Sequence, residues 1–261
     1  MRRVSESPQD DPSMQRMWLL YEAKSKTRES IMSAWQVVKK VEHVSCGDER
    51  LGIWRFPNAI IDASATVNAI ERIAGGQDTG ECLWSPAQVG HYKLSTSYRK
   101  CFDWKPNLTS LSQEKYDIED IRTVNSMRNT IIDTALEYAQ NFNVDLGFIE
   151  TMNIIKYYDG NHFGYHSDDG FSYVASVSSV VYLNSDFTGG ALHFKHLDIT
   201  IQPEVGDIIV FPANFMYMHS ALNVESGIKY SVVTMFDYNR HEYFKTTYRA
   251  LHNSSIEKFD I

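Results

Sequence analysis

The spacing of apolar residues changes near the middle of the chain. In the first half, apolar positions recur every three or four residues from Met17 to about Val44, over Ala65–Ile73, and from about Asp120 to Phe142. This spacing predicts three amphipathic helices. Leu51–Phe56 predicts a strand, and residues 76–113, rich in Gly, Pro and Ser, predict loops with short strands.

After Leu146 the pattern becomes typical of β-strands, with short alternating or β-branched runs between turn signals. These runs predict six strands: Phe148–Tyr158, Tyr173–Leu183, Ala191–Phe194, Asp198–Gln202, Asp207–Phe211 and Lys229–Asp237. Closely spaced short strands favour a β-sandwich or barrel over alternating β-α-β units. Because the helices come first, the predicted class is α+β, with N-terminal helices packed on one sheet.

The same pattern divides the chain into four parts. Residues 1–16 are polar and predict a mobile tail, and residues 17–50 predict a helical extension. Residues 51–240 form the predicted main domain, with its core at 148–238. Residues 241–261 are a mixed polar and aromatic extension. What the two ends contact stays open.

Composition and charge narrow the function classes. Of 261 residues, 43% are hydrophobic, which is enough to form a sizeable core, and the net charge is −8. An acidic chain without clustered Lys and Arg argues against nucleic acid as a partner. Three widely spaced cysteines predict reduced thiols, and no signal peptide or membrane-length apolar run is evident. We therefore expect a soluble, cytoplasmic protein without a membrane partner, whose oligomeric state stays open.

The run GYHSDDG places His166 and Asp168 two residues apart. In an extended segment these side chains project to the same side, so an imidazole and a carboxylate can face one point. His219 follows a predicted strand and could supply a third ligand. Two imidazoles and one carboxylate on one octahedral face suit non-haem iron(II). The alternative is that His166 and Asp168 form an ordinary surface turn.

Lys229 begins the last strong strand, where Lys229 and Ser231 share one face. A cation and a hydroxyl at one depth suit a small dicarboxylate that must be neutralised inside a barrel. The alternative is an edge-strand lysine that prevents pairing with other chains.

The order and spacing of these motifs resemble those of a known family. The matching stretches are IIKYYDGNHFGYHSDD, VVYLNSDFTGGALHF, PEVGDIIVFP and HSALNVESGIKYSVVTMF, with a weaker match in KLSTSYRKC. Over residues 148–238 the sequence resembles the prolyl 4-hydroxylase branch of the 2-oxoglutarate/Fe(II)-dependent oxygenases. The resemblance implies a double-stranded β-helix, or jelly-roll, core.

The resemblance also implies roles for single residues. His166, Asp168 and His219 match the ligands of Fe(II), and Lys229 matches the residue that binds the C5 carboxylate of 2-oxoglutarate. The cosubstrate pocket is completed by two tyrosines, a serine and an apolar wall residue: Tyr157, Tyr182, Ser231 and Leu192. The implied cosubstrates are 2-oxoglutarate and O2, with ascorbate as reductant.

Two positions depart from the family pattern. Phe163 stands where many relatives have tyrosine, and Asn161 stands where the collagen-type enzymes often have glutamine. The resemblance implies that both positions lie beside the substrate cleft. They therefore affect specificity for peptidyl-proline and leave the reaction chemistry intact. The expected reaction is hydroxylation of peptidyl-proline in a protein or peptide. The alternatives are the same chemistry on a free amino acid, another small molecule or a nucleobase, a zinc hydrolase, and a non-catalytic β-barrel module.

Overall fold

The structure is a computed structural model, and it describes residues 42–89, 93–108, 111–150, 152–170, 175–238 and 253–255. The predicted tail, most of the predicted helix from Met17 to Val44, and nearly all of the C-terminal extension lie outside these residues. Those assignments stay predictions. Val44 itself lies in a short strand.

Two α-helices occur in the described residues, both within a few residues of their predicted bounds. They are α1 (Ala63–Ala74) and α2 (Ile118–Asn141). Each begins after an aspartate whose carboxylate accepts a hydrogen bond from a free backbone N–H: Asp62 from Ala65 and Asp117 from Glu119. Such caps satisfy donors that the first helical turn leaves unpaired.

The strands of the described residues are short, and most lie after α2. In chain order they are β1 (Val44–Ser45), β2 (Trp54–Phe56), β3 (Ser85–Pro86), β4 (Arg99–Lys100), β5 (Phe102–Trp104), β6 (Leu146–Glu150), β7 (Asn153–Tyr157), β8 (His162–His166), β9 (Val177–Tyr182), β10 (Phe187–Gly189), β11 (Leu192–Phe194), β12 (Ile199–Ile201), β13 (Ile208–Pro212), β14 (His219–Ala221), β15 (Val224–Gly227), β16 (Lys229–Tyr238) and β17 (Asn253–Ser255).

These strands form two main antiparallel sheets. The larger has the order β1-β2-β13-β9-β16-β7-β5-β3, with β6 beside β16 and β17 beside β6. The smaller has the order β12-β11-β14-β8-β4, and β10 pairs separately with β15. The described fold is therefore mostly β-sheet with two helices.

The core lies between the two main sheets. Apolar side chains from β9 and β13 of the larger sheet meet those of β11 and β12 of the smaller one, in a cluster of Ile53, Val180, Tyr182, Leu192, Phe194, Ile201, Ile209 and Phe211. Because side chains alternate along a strand, the residues between these point to the other face of the larger sheet, where the helices pack.

Helix α1 is tied to that other face through Glu71. The Lys156 ammonium lies 2.9 Å from the Glu71 carboxylate, and the Tyr230 hydroxyl donates to the same oxygen at 2.9 Å. All three side chains are largely buried or half-buried, so this polar contact fixes α1 against β7 and β16.

Most predicted strands are confirmed, with changes at their ends. Leu51–Phe56 shortens to β2, and Leu51 ends a 3₁₀ turn instead. Phe148–Tyr158 is two strands, β6 and β7, which lie end to end along β16. The sequence pattern does not predict β8 or β14 as strands, although both contain predicted site residues. No helix in the described ranges is long and apolar enough to cross a membrane.

Candidate active site

Strand β8 contains an irregularity that sets the direction of its side chains. In its pairing with β14, His166 lies opposite His219 and Phe163 opposite Ala221, with a register shift between them. The shift places Phe163 and His166 on the same face, where their rings stack at 3.7 Å and 18°. A β-bulge commonly aims side chains in this way beside functional sites.

Gly164 lies inside this irregularity, at a position where the fold has no room for a side chain. A Cβ atom on Gly164 would lie 2.8 Å from Cδ2 of Tyr98. The Gly164 N–H donates to the Tyr98 carbonyl oxygen at 2.7 Å. Close packing against Tyr98 therefore holds this part of β8 in position.

The three predicted metal ligands come together in the structure. Nε2 of His166 lies 3.4 Å from one carboxylate oxygen of Asp168, and Nε2 of His219 lies 3.7 Å from the other. One ligand atom from each residue can be chosen so that all lie within 4.8 Å of one another. The side chains of Asp168 and His219 are buried.

Hydrogen bonds orient both imidazole rings. Nδ1 of His166 lies 2.8 Å from the Gly164 carbonyl oxygen, and Nδ1 of His219 lies 3.0 Å from that of Tyr217. Because a carbonyl can only accept, each Nδ1 carries a proton, and each Nε2 faces Asp168. Metal-binding histidines are typically held in this way.

The charges of these groups also suit a divalent cation. Burial opposes the charged form of Asp168, but His219 and His166 outweigh it and hold the pKa of Asp168 well below its usual range. Burial lowers the pKa of His219 to about 4, against the opposing effect of Asp168. Oδ2 of Asp168 is buried without a hydrogen-bond partner. A neutral imidazole, an ionised carboxylate and an unsatisfied buried oxygen fit a metal ion.

Lys229 is buried at the other end of the same interior. Its Nζ donates to the Gly190 carbonyl oxygen at 2.6 Å and lies 5.0 Å and 5.1 Å from the ring centroids of Tyr157 and Tyr182. Within the part of the chain that the structure describes, no carboxylate lies within ion-pair distance of this ammonium. Burial lowers the pKa of Lys229 to about 7.

The other predicted pocket residues surround this lysine. Tyr157 lies opposite Lys229 in the β7–β16 ladder, and Tyr182 lies opposite Ser231 in the β9–β16 ladder. Ser231 is buried on the inward face of β16. Leu192 comes from the facing sheet and packs in the cluster that contains Tyr182.

The sequence did not reveal several neighbours of these residues. The Arg99 guanidinium is buried and lies 4.6 Å above the Phe163 ring, which in turn covers His166. Cys101 packs beside Tyr157 and Phe187 in the interior. The only sequence signal was the KLSTSYRKC stretch, which contains Arg99 and Cys101 but does not show which way they point.

Comparisons with known proteins agree with this geometry. Residues 152–237 match the family model of the 2OG-Fe(II) oxygenase superfamily. Comparison with curated protein sequences finds no match.

Among solved structures, the chain is similar to a prolyl hydroxylase from Trichoplax adhaerens, solved in complex with a hypoxia inducible factor oxygen degradation domain peptide fragment. Identity is 14%, with 88% of this chain and 96% of that one covered and a TM-score of 0.61. A Pseudomonas putida prolyl-4-hydroxylase is 18% identical, with 72% and 93% covered and a TM-score of 0.51. A 2OG-Fe(II) oxygenase family oxidoreductase from Burkholderia pseudomallei is 14% identical, with 76% and 93% covered and a TM-score of 0.51.

At these identities the solved structures show the fold, and the family match over residues 152–237 supports the class of chemistry. The match over residues 152–237 and the similar solved structures identify the chain as a 2-oxoglutarate-dependent dioxygenase that resembles the 2OG-Fe(II) oxygenase superfamily and has a prolyl hydroxylase-like fold.

Proposed function

We propose that this dioxygenase hydroxylates peptidyl-proline, with His166, Asp168 and His219 as its Fe(II) ligands and Lys229 as the residue that binds 2-oxoglutarate. One observation carries the assignment of the site. The Lys229 ammonium, which has no carboxylate partner among the described residues, is buried in the same interior as the largely buried cluster of His166, Asp168 and His219. A buried cation is costly unless it is paired, so Lys229 fits a ligand that brings its own carboxylate.

Each residue has a defined part in this proposal. Lys229 neutralises the carboxylate of 2-oxoglutarate that lies farther from the metal, and Tyr157 and Tyr182 enclose that carboxylate. Leu192 forms an apolar wall, and Ser231 offers a hydroxyl on the same face as Lys229. Burial of these side chains excludes water from the pocket, which strengthens the charge pair.

Iron, when bound, would supply the chemistry by which O2 couples decarboxylation of 2-oxoglutarate to hydroxylation of a C–H bond: one oxygen atom enters succinate, the other enters the substrate, and CO2 is released. The protein contributes geometry and charge. The carbonyl oxygens of Gly164 and Tyr217 hold the two imidazoles as neutral ligands, and Asp168 stays ionised between them. Ascorbate is the proposed reductant that keeps the metal ferrous.

The proline assignment is supported by the fold. The Trichoplax adhaerens neighbour was solved with a peptide, and the Pseudomonas putida neighbour is a prolyl-4-hydroxylase. By analogy of fold, we propose that a proline-containing peptide reaches the metal of this chain.

The test combines two readouts. The protein is incubated with Fe(II), ascorbate, 2-oxoglutarate and a set of proline-containing peptides, and succinate and the addition of one oxygen atom to the peptide are measured by mass spectrometry. We expect both, and neither with Asp168→Ala. Succinate without any oxidised peptide would reject peptidyl-proline and favour a free amino acid or another small molecule. No succinate under any condition would reject the assignment of the site.

A further inference from the structure

The inward face of β16 runs from the buried lysine to the metal ligands. Lys229, Ser231, Val233 and Met235 alternate along it, and the intervening residues face the helices. On β9, the residue opposite Met235 is Ser178. Ser178 in turn lies opposite Phe211 of β13, whose ring centroid is 4.9 Å from that of His219, so Met235 lies at the level of the metal ligands.

Asn153 lies on this inward face, one step from that level. It is opposite Val233 in the β7–β16 ladder, and it alternates with Ile155, which packs in the interior. The side-chain oxygen Oδ1 of Asn153 is buried and has no hydrogen-bond partner among the described residues. A buried amide oxygen without a donor is costly, so it marks a place where a ligand donor fits.

Glu150 reaches the same face through a shift in strand register. Ile149 lies opposite Phe236, which faces the helices, and the β6–β16 and β7–β16 ladders differ in register by one residue. The next residue, Glu150, therefore points inward, beside Met235. Glu150 as a whole residue is partly buried.

The electrostatics agree with this position. Burial raises the pKa of Glu150 to about 7; Lys105 opposes the shift, and the negative charge of Asp168 adds to it. The influence of Asp168 agrees with the position of Glu150 that the strand register gives. Within the described ranges, no ion pair to Glu150 shorter than 4 Å occurs.

Glu150 and Asn153 thus place two hydrogen-bond acceptors on the wall beside the metal ligands. We propose that they bind a positively charged nitrogen of the substrate, close to the carbon that is oxidised. This inference rests on the proposed function, and it narrows the substrate to molecules that carry a protonated amine or a guanidinium beside the reacting carbon. A carboxylate together with an amide oxygen binds such a nitrogen through charge-assisted hydrogen bonds.

Two sources could supply this nitrogen, and the substrates separate them. The first source is a neighbouring side chain, tested with three peptides that differ only in the residue beside the proline. That residue is arginine (cationic), norleucine (neutral) or glutamate (anionic). The second source is free proline, whose own amine is protonated. Each is tested as a substrate by oxygen incorporation and as a ligand of the Fe(II)- and 2-oxoglutarate-loaded protein without O2.

Three variants are compared with the wild-type protein. Glu150→Gln should raise KM and Kd for the cationic substrate by about tenfold or more, the loss expected for a charge-assisted hydrogen bond, with little change for the norleucine peptide. Glu150→Lys should prefer the glutamate peptide, a reversal that a merely structural role would not produce. Glu114→Gln, at an exposed position, is the matched control and should change nothing.

The outcomes separate this inference from the proposed function. Succinate formation should be the same in Glu114→Gln as in the wild-type protein, and its absence from the wild-type protein with every substrate would reject the proposed function itself. Three results would overturn the role of Glu150. They are an equal rise of KM and Kd for all peptides in Glu150→Gln, no rise for any peptide, and no preference of the wild-type protein for a cationic substrate or ligand. A preference for free proline over the arginine peptide would support the inference, identify the amine as the nitrogen, and reject peptidyl-proline as the preferred substrate.

Discussion

The ammonium of Lys229 lies 2.6 Å from the carbonyl oxygen of Gly190, which is its hydrogen-bond acceptor. Gly190 has a φ of +64°, and a Cβ atom there would lie 3.1 Å from Cδ of Lys229. The glycine therefore lets the backbone approach the lysine closely. In the part of the chain that the structure describes, this neutral carbonyl is the only hydrogen-bond acceptor of the ammonium. It offsets little of the free-energy cost of burying the charge, which has two measurable consequences.

The first consequence concerns stability without ligand. The pKa of Lys229 is about 7 in the folded protein, below its unfolded value, so the unfolded chain binds more protons between pH 7 and about 10.4. The buried charge of Lys229 destabilises the fold by its full amount below pH 7. This destabilisation disappears as the pH rises to the pKa of the lysine in the unfolded chain. Lys229→Met should therefore raise the free energy of unfolding at pH 7 by roughly 1–4 kcal/mol, measured with urea, and by less at pH 9. An unchanged or lowered stability would contradict this.

The second consequence concerns the affinity for 2-oxoglutarate. A dicarboxylate binds the protonated lysine, so Kd should be constant below pH 7 and weaken by about tenfold per pH unit above it. Lys229→Arg is the control because its guanidinium stays charged, and its Kd, even if weaker, should not follow this slope. The measurement is a titration with Fe(II) in the absence of O2. A flat wild-type profile between pH 7 and 9 would contradict the pairing.

Gly164→Ala should weaken metal binding. Its Cβ atom would meet the Tyr98 ring and displace the part of β8 that presents His166, whose ring also depends on the Gly164 carbonyl oxygen. We expect the affinity for Fe(II) to fall by about tenfold or more, as when a group that orients a ligand is disturbed. Gly170→Ala is the matched control because nothing lies within 4 Å of its Cβ position. Equal affinities in the two variants would show that β8 tolerates the methyl group.

The Glu71–Lys156 pair should matter for folding rather than for catalysis. Glu71→Ala leaves a buried ammonium and the Tyr230 hydroxyl without their shared acceptor, which should cost about 2–4 kcal/mol in urea unfolding. The exposed Lys115–Glu81 pair offers the comparison, and Glu81→Ala should cost less than about 1 kcal/mol. Similar losses in both variants would argue against a special role for the contact between α1 and the sheet.

Several features of the fold could be predicted because they repeat along the sequence. Helix α2 shows its apolar face over six turns, and β16 alternates over most of its length. The metal ligands could be predicted because His166 and Asp168 are close in sequence and His219 follows at the spacing that the resemblance implies. The structure brings these residues together.

The missed features arise from local irregularities that alternation cannot show. Strand β8 is only five residues long and contains a glycine at its centre, and the register shift that places Phe163 on the face of His166 leaves no mark in the sequence. A continuous strand over Phe148–Tyr158 would put Glu150 on the helix side with Ile154. The shift between β6 and β7 turns it toward the metal ligands instead.

The central claim is that His166, Asp168, His219 and Lys229 form one site for Fe(II) and 2-oxoglutarate. The most direct measurement is succinate formation from 2-oxoglutarate with Fe(II), with and without O2, in the wild-type protein and in Asp168→Ala. The account predicts succinate only from the wild-type protein with O2. Full activity in Asp168→Ala, or turnover that does not depend on O2, would contradict it.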